Sequence, residues 1–144
     1  MKTTTSYRFP GAKRFAFTIL DDTDDGTATN LAPIYALLDE LGMRTTKTVW
    51  PVACPEGSAD FFAGKTLDDD EYLAFVLDLA RRGFEITWHG ATMESSERQR
   101  TLEALDRYRK IFGCYPRIQI SRGIGPALQA CASARCFPSW PHAR

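Results

Sequence analysis

Arg14-Phe15-Ala16-Phe17-Thr18-Ile19-Leu20-Asp21-Asp22-Thr23-Asp24-Asp25-Gly26 decides how this chain is read. Residues 14–20 are an apolar, β-prone run that ends in an acidic turn, and Leu31, Ile34, Tyr35, Leu38 and Leu41 then recur at helical spacing. Pro33 fits the first turn of that helix and Gly42 the position just past its last turn. The unit is therefore strand, acidic turn, helix.

The same rhythm continues along the chain. Met43 to Trp50 reads as a second strand, rich in Thr and Val and stopped by Pro51. Residues 51–66 form a Pro/Gly/Ser-containing loop, long enough to be functional or mobile. Asp68-Asp69-Asp70-Glu71 crowds acids into a first helical turn, which suits the positive end of the helix dipole. Tyr72, Phe75, Val76 and Leu79 form the apolar face of that helix, Arg81 and Arg82 fill its last turn, and Gly83 ends it. Phe84 to Trp88 reads as a third strand running into His89-Gly90. Ser96 with Gln99 makes a capping-box pattern before the helical face Leu102, Leu105, Tyr108 and Phe112, closed by Gly113. Tyr115 to Ile120 reads as a fourth strand. Strands alternating with helices predict an α/β fold, either a parallel sheet or a partial (β/α) barrel with right-handed crossovers. Ligands in such folds bind at the carboxyl ends of the strands. Those ends carry Asp21-Asp22, Trp50-Pro51 and His89-Gly90, so two carboxylates and an imidazole are expected on one rim.

Composition narrows the classes. The chain has 144 residues, 44% hydrophobic and 25% charged, which excludes a wholly disordered, collagen-like or coiled-coil protein. Its net charge of zero conceals an asymmetry. All 18 acids lie at or before Asp106; Arg107, Arg109, Lys110, Arg117, Arg122, Arg135 and Arg144 follow with none. Those late cations are scattered rather than interleaved with aromatics as a basic patch, so no nucleic-acid partner is expected. No apolar run approaches the ~18–20 residues that span a membrane, and the N-terminus shows no apolar core of a secretory signal. Cys54, Cys114, Cys131 and Cys136 show no paired spacing. These features predict unpaired thiols in a reducing, cytoplasmic setting without a membrane partner.

Three motifs compete for the acidic turn. In an EF-hand loop with Gly26 at the sixth position, the twelfth is Ala32, where a bidentate Glu is needed. In a phosphatase-type D-x-D-G-T motif, Thr23 stands where the nucleophilic Asp must be. The third is an Asp-Asp pair at a strand end acting with a His from a later strand. One carboxylate and the imidazole hold a divalent ion, and the neighbouring carboxylate takes a proton from its water.

Phe17-Thr18-Ile19-Leu20-Asp21-Asp22 resembles the T-F-D-D-G motif of the polysaccharide deacetylase family (carbohydrate esterase family 4, the NodB-homology fold). Arg44 to Val49 is similar to that family's second strand, and Gly83-Phe84-Glu85-Ile86-Thr87-Trp88-His89 to the start of its H-[ST]-x-x-H motif. The resemblance covers about residues 14–120. It implies a partial, TIM-like (β/α) barrel of polysaccharide deacetylase type, truncated after the fourth strand. It also implies a hydrolase that removes acetyl groups from a carbohydrate substrate with a divalent metal, most often zinc. By the same resemblance Asp21 is the general base, and Asp22 and His89 are metal ligands. The family's second histidine falls at Met93, a poor donor for such an ion, which leaves Glu94 or Asp24 as replacements for the third ligand. Asp24 and Asp25 also read as simple helix-start acids. Trp50 and Trp88 stand at the strand ends, where an aromatic either lines a sugar subsite or packs in the core. The family's Arg-Pro-Gly motif and its later histidine have no clear counterpart, although Arg122-Gly123-Ile124-Gly125-Pro126 is a loose echo. Two rivals follow: a degenerate or truncated non-catalytic member of the same fold, and a metal-dependent hydrolase of another amide. Residues 121–144 break the rhythm, with no acid and with His142 as the one other histidine; they read either as an out-of-frame end beginning near Gln119 or as a genuine, poorly ordered C-terminal extension.

Overall fold

The computed structural model describes residues 9–59 and 64–120. After a 3-10 turn at Pro10–Ala12, its elements are β1 (Leu20–Asp21), α1 (Ala28–Glu40), β2 (Thr46–Val49), α2 (Asp70–Arg81), β3 (Glu85–Trp88) and α3 (Arg98–Phe112). The three strands pair in parallel in the order β1-β2-β3, with Leu20 beside Thr46 and Val49 beside Trp88. The chain is thus α/β, with three parallel strands and three helices among the described residues. No helix among them is long and apolar enough to cross a membrane. The tail at 121–144, with His142, lies outside the described residues.

β2 is the central strand, and all four of its residues are buried. Two of its polar side chains are satisfied by neighbouring strands. The Thr46 hydroxyl donates to Glu85 at 2.6 Å and the Thr48 hydroxyl to the Asp21 carbonyl at 2.8 Å. The main core gathers Leu31, Tyr35 and Leu38 of α1, Val49 of β2, and Tyr72, Val76 and Leu79 of α2. Tyr35 meets Phe84 and Phe75 edge-on at 5.0 and 5.8 Å between ring centroids, the geometry that the ring quadrupole favours. Arg82 ties α2 to α1, donating to the Tyr35 carbonyl at 3.2 Å and to Asp39 at 3.0 Å. A second cluster joins Trp88, Ala91 and Ala104, flanked by Val52 and Leu105.

Several sequence expectations shift here. The first strand is shorter than residues 14–20, because pairing starts only at Leu20; Phe15 and Phe17 are 75% and 72% exposed. Helix α1 begins earlier than Pro33 implied. Thr27 caps it, accepting from the Asn30 amide while the Asn30 side chain accepts from the Thr27 amide. Pro33 therefore lies in the helix interior and withholds the hydrogen bond that the Thr29 carbonyl would accept. Ser96 and Gln99 form no capping box: the cap position is Glu97 without a side-chain bond, while Ser96 donates to the Glu94 carbonyl and Gln99 to Glu103. The expected fourth strand is reduced to one parallel bridge, Trp88 with Gln119. Gly113 ends α3 with a left-handed φ of 77°, as the spacing predicts. Thr27→Ala is expected to lower stability by about 1 kcal/mol, the usual value of such a cap, measured as a shift in the urea midpoint.

Candidate metal centre

The site is built on the turn after β1. Thr23 is fully buried and its hydroxyl shares a 3.0 Å hydrogen bond with the Tyr72 hydroxyl of α2. The Gly26 amide donates to the Thr23 carbonyl at 3.0 Å, and Asn30 of α1 donates to the Asp25 carbonyl at 2.9 Å. Asp25 takes a φ of 55°, a left-handed conformation that Asp tolerates better than most side chains. The loop after β2 closes on this turn: the Lys65 amide donates to the Gly26 carbonyl at 3.0 Å, and the Leu67 amide to the Trp50 carbonyl at 2.9 Å. Gly64 passes so close that a Cβ would lie 3.2 Å from the Asp25 amide nitrogen, the Thr23 carbonyl oxygen and the Trp50 ring, at a φ of +148°. Only glycine suits that position.

This framework directs three side chains together. One ligand atom each from Asp22, Asp24 and His89 lies within 4.8 Å of the others. His89 Nε2 is 3.1 Å from Asp22 Oδ1 and 3.9 Å from Asp24 Oδ1. The histidine is only 7% exposed, its amide is held by the Val49 carbonyl at 3.1 Å, and its Nδ1 has no hydrogen-bond partner. Two carboxylate oxygens and an imidazole nitrogen form a donor set that could hold a divalent cation.

Asp21 faces elsewhere. Consecutive residues at a strand end alternate sides, and its carboxylate accepts a 2.7 Å hydrogen bond from the Tyr35 hydroxyl and pairs with Lys47 Nζ at 3.2 Å. The Lys47 side chain is fully buried, and its contact with Asp21 falls short of hydrogen-bond geometry. Burial holds the Lys47 ammonium below the usual lysine range, while Asp21 pulls it back up. Burial pushes the Tyr35 hydroxyl well above its ordinary range, and the adjacent Asp21 adds to that. Tyr72 is raised by burial too.

The other expected residues fall out as follows. Glu94 is engaged away from the cluster, accepting from Arg100 at 2.8 Å and from Ser58 at 2.8 Å. Of the two candidate replacements for the third ligand, Asp24 is the one brought to His89. Met93 lines a cleft of about 550 Å³ together with Asp25, Trp50, Cys54, Lys65 and Thr92, a volume in the range of small-molecule sites. Cys54 in that cleft is a free thiol in contact with the Thr92 hydroxyl at 2.8 Å. Trp50 forms part of the wall and its ring lies 5.8 Å from the His89 imidazole. Trp88 is 2% exposed and packs in the second core cluster, so it presents no face for a sugar to stack on.

Lys47 and Tyr35 were not among the candidate residues from sequence. The available signal was a lysine inside Thr45-Thr46-Lys47-Thr48-Val49. A charged residue in a central parallel strand, buried on both faces, needs a partner. No known protein family, curated protein or solved structure matches this chain.

Proposed function

We propose that this chain is a metal-dependent hydrolase of polysaccharide deacetylase type, acting on an acetamide or acetyl ester of a carbohydrate, and that its sheet is part of a (β/α) barrel. The observation that carries the reading is the convergence of Asp22, Asp24 and His89 past the carboxyl ends of β1 and β3, the two strands that flank β2. Asp22, Asp24 and His89 would hold the divalent ion, zinc first among the candidates. When bound, that ion supplies Lewis acidity and an activated water. The family resemblance makes Asp21 the general base; its carboxylate is held by the Tyr35 hydroxyl and Lys47 on the side away from the cluster, so it would take the proton of the attacking water only on turning from them. The open cleft walled by Trp50 and Met93, next to His89 through the Trp50 ring, would receive the substrate.

Two observations favour a second reading, a non-catalytic member of the same fold. Met93 brings no nitrogen donor to the cluster, and His89 Nδ1 has no partner to orient the ring. A metal-dependent hydrolase of another amide would use the same residues. Metal content after purification with zinc or cobalt, followed by acetate release from acetylated chito-oligosaccharides, separates the three. The expected result is one equivalent of metal, lost in Asp22→Ala and His89→Ala, and acetate release abolished by a chelator. A metal-free chain whose binding is indifferent to both substitutions rejects the metal centre. Bound metal without acetate release rejects the deacetylase assignment.

A further inference from the structure

Lys47 is a fully buried cation directly beneath the acidic turn. Its Nζ lies 3.2 Å from Asp21 Oδ2 and 6.0 Å from the centroid of the Tyr72 ring, close enough to Gly26 that a Cβ there would meet it at 3.7 Å. The carboxylates of Asp22 and Asp24 turn instead to His89. Three acids thus separate into two groups: Asp21 with Lys47 and Tyr35 on the inner side, Asp22 and Asp24 with His89 on the outer. We propose, resting on the reading of this cluster as a metal centre, that Lys47 is a positioning residue that withholds Asp21 from the ion. It fixes the ligand set at two carboxylates and one imidazole.

Charge balance supports this division. A divalent ion neutralises Asp22 and Asp24, and Lys47 neutralises Asp21, so each group closes on itself. Without Lys47 the Asp21 carboxylate, one-fifth exposed and next in the chain to Asp22, keeps only the Tyr35 hydroxyl as partner and becomes available to the ion. A third carboxylate oxygen shifts the site toward hard cations such as magnesium and away from zinc.

The test is titration of the whole chain with Mg²⁺ and with Co²⁺, for the wild type, Lys47→Met and the double variant Asp21→Asn/Lys47→Met. Lys47→Met is expected to bind Mg²⁺ about tenfold more tightly than the wild type, a usual size for coupling between groups. The double variant lacks the competing carboxylate and is expected to return to within about threefold of the wild type for both ions. Lys47→Met that is folded by circular dichroism and binds Mg²⁺ no more tightly than the wild type overturns the inference, as does a double variant that keeps the gain. If Lys47→Met does not fold, Lys47→Gln takes its place in the same comparison: a gain in Mg²⁺ affinity over the wild type that Asp21→Asn/Lys47→Gln loses supports the inference, and no gain overturns it. A wild-type chain that binds neither ion rejects the metal-centre reading, whereas the gain or its absence in Lys47→Met reports on Lys47.

Discussion

Asp24→Asn is expected to weaken Co²⁺ binding by about 100-fold, the upper end of what even supporting partners of a metal site cost, and as much as Asp22→Asn does. Asp24 Oδ1 lies 3.9 Å from His89 Nε2, within the span of one ion's ligand sphere, and its side chain is 19% exposed. An amide in its place retains the shape but removes the charge that offsets the cation. Glu94→Gln and Met93→Leu are the matched controls. Glu94 is held by Arg100 and Ser58, and Met93 faces the cleft, so neither substitution is expected to change the affinity. Calorimetric titration measures all four. Full affinity in Asp24→Asn would remove Asp24 from the site, and a large loss in Glu94→Gln would put the third ligand there instead.

Trp88→Ala is expected to destabilise the fold by about 3–5 kcal/mol, the range for removing a large buried aromatic. Trp88 is 2% exposed, packs on Ala91 and Ala104 with Val52 and Leu105 around it, and is the last residue of β3. Its backbone also accepts a 2.9 Å hydrogen bond from the Ile120 amide. The small residues Ala91 and Ala104 cannot fill the space the indole leaves. His89 is the next residue, so the same change also loosens the imidazole and should reduce metal affinity. Urea unfolding gives the stability and Co²⁺ titration the affinity. A cost below about 0.5 kcal/mol, the size of an ordinary surface substitution, would show that the ring is not part of the core.

The alternation of strands and helices was legible from local pattern. Tyr72, Val76 and Leu79 recur at helical spacing and are the residues α2 buries. Gly113 marks the end of α3 because a left-handed residue closes that helix. Element ends were less legible where two signals competed. Pro33 suggested one start for α1, and the Thr27–Asn30 pair set another, since a reciprocal cap satisfies two amides while a proline only spares one. Asp22 and His89 were visible as strand-end residues because parallel strands place such ends on one rim.

The sequence by itself determined the α/β order and the placement of acids and a histidine at strand ends, because both follow from periodicity and connection rules that act over a few residues. Only the tertiary structure decided which carboxylate serves which partner. Asp21, Asp22 and Asp24 are equivalent in one dimension. They differ because the buried Lys47 and the Tyr35 hydroxyl claim the first, while the turn anchored through Thr23 and Tyr72 aims the other two at His89. Those partners come from other elements of the chain, and no local pattern encodes a contact made across the sheet.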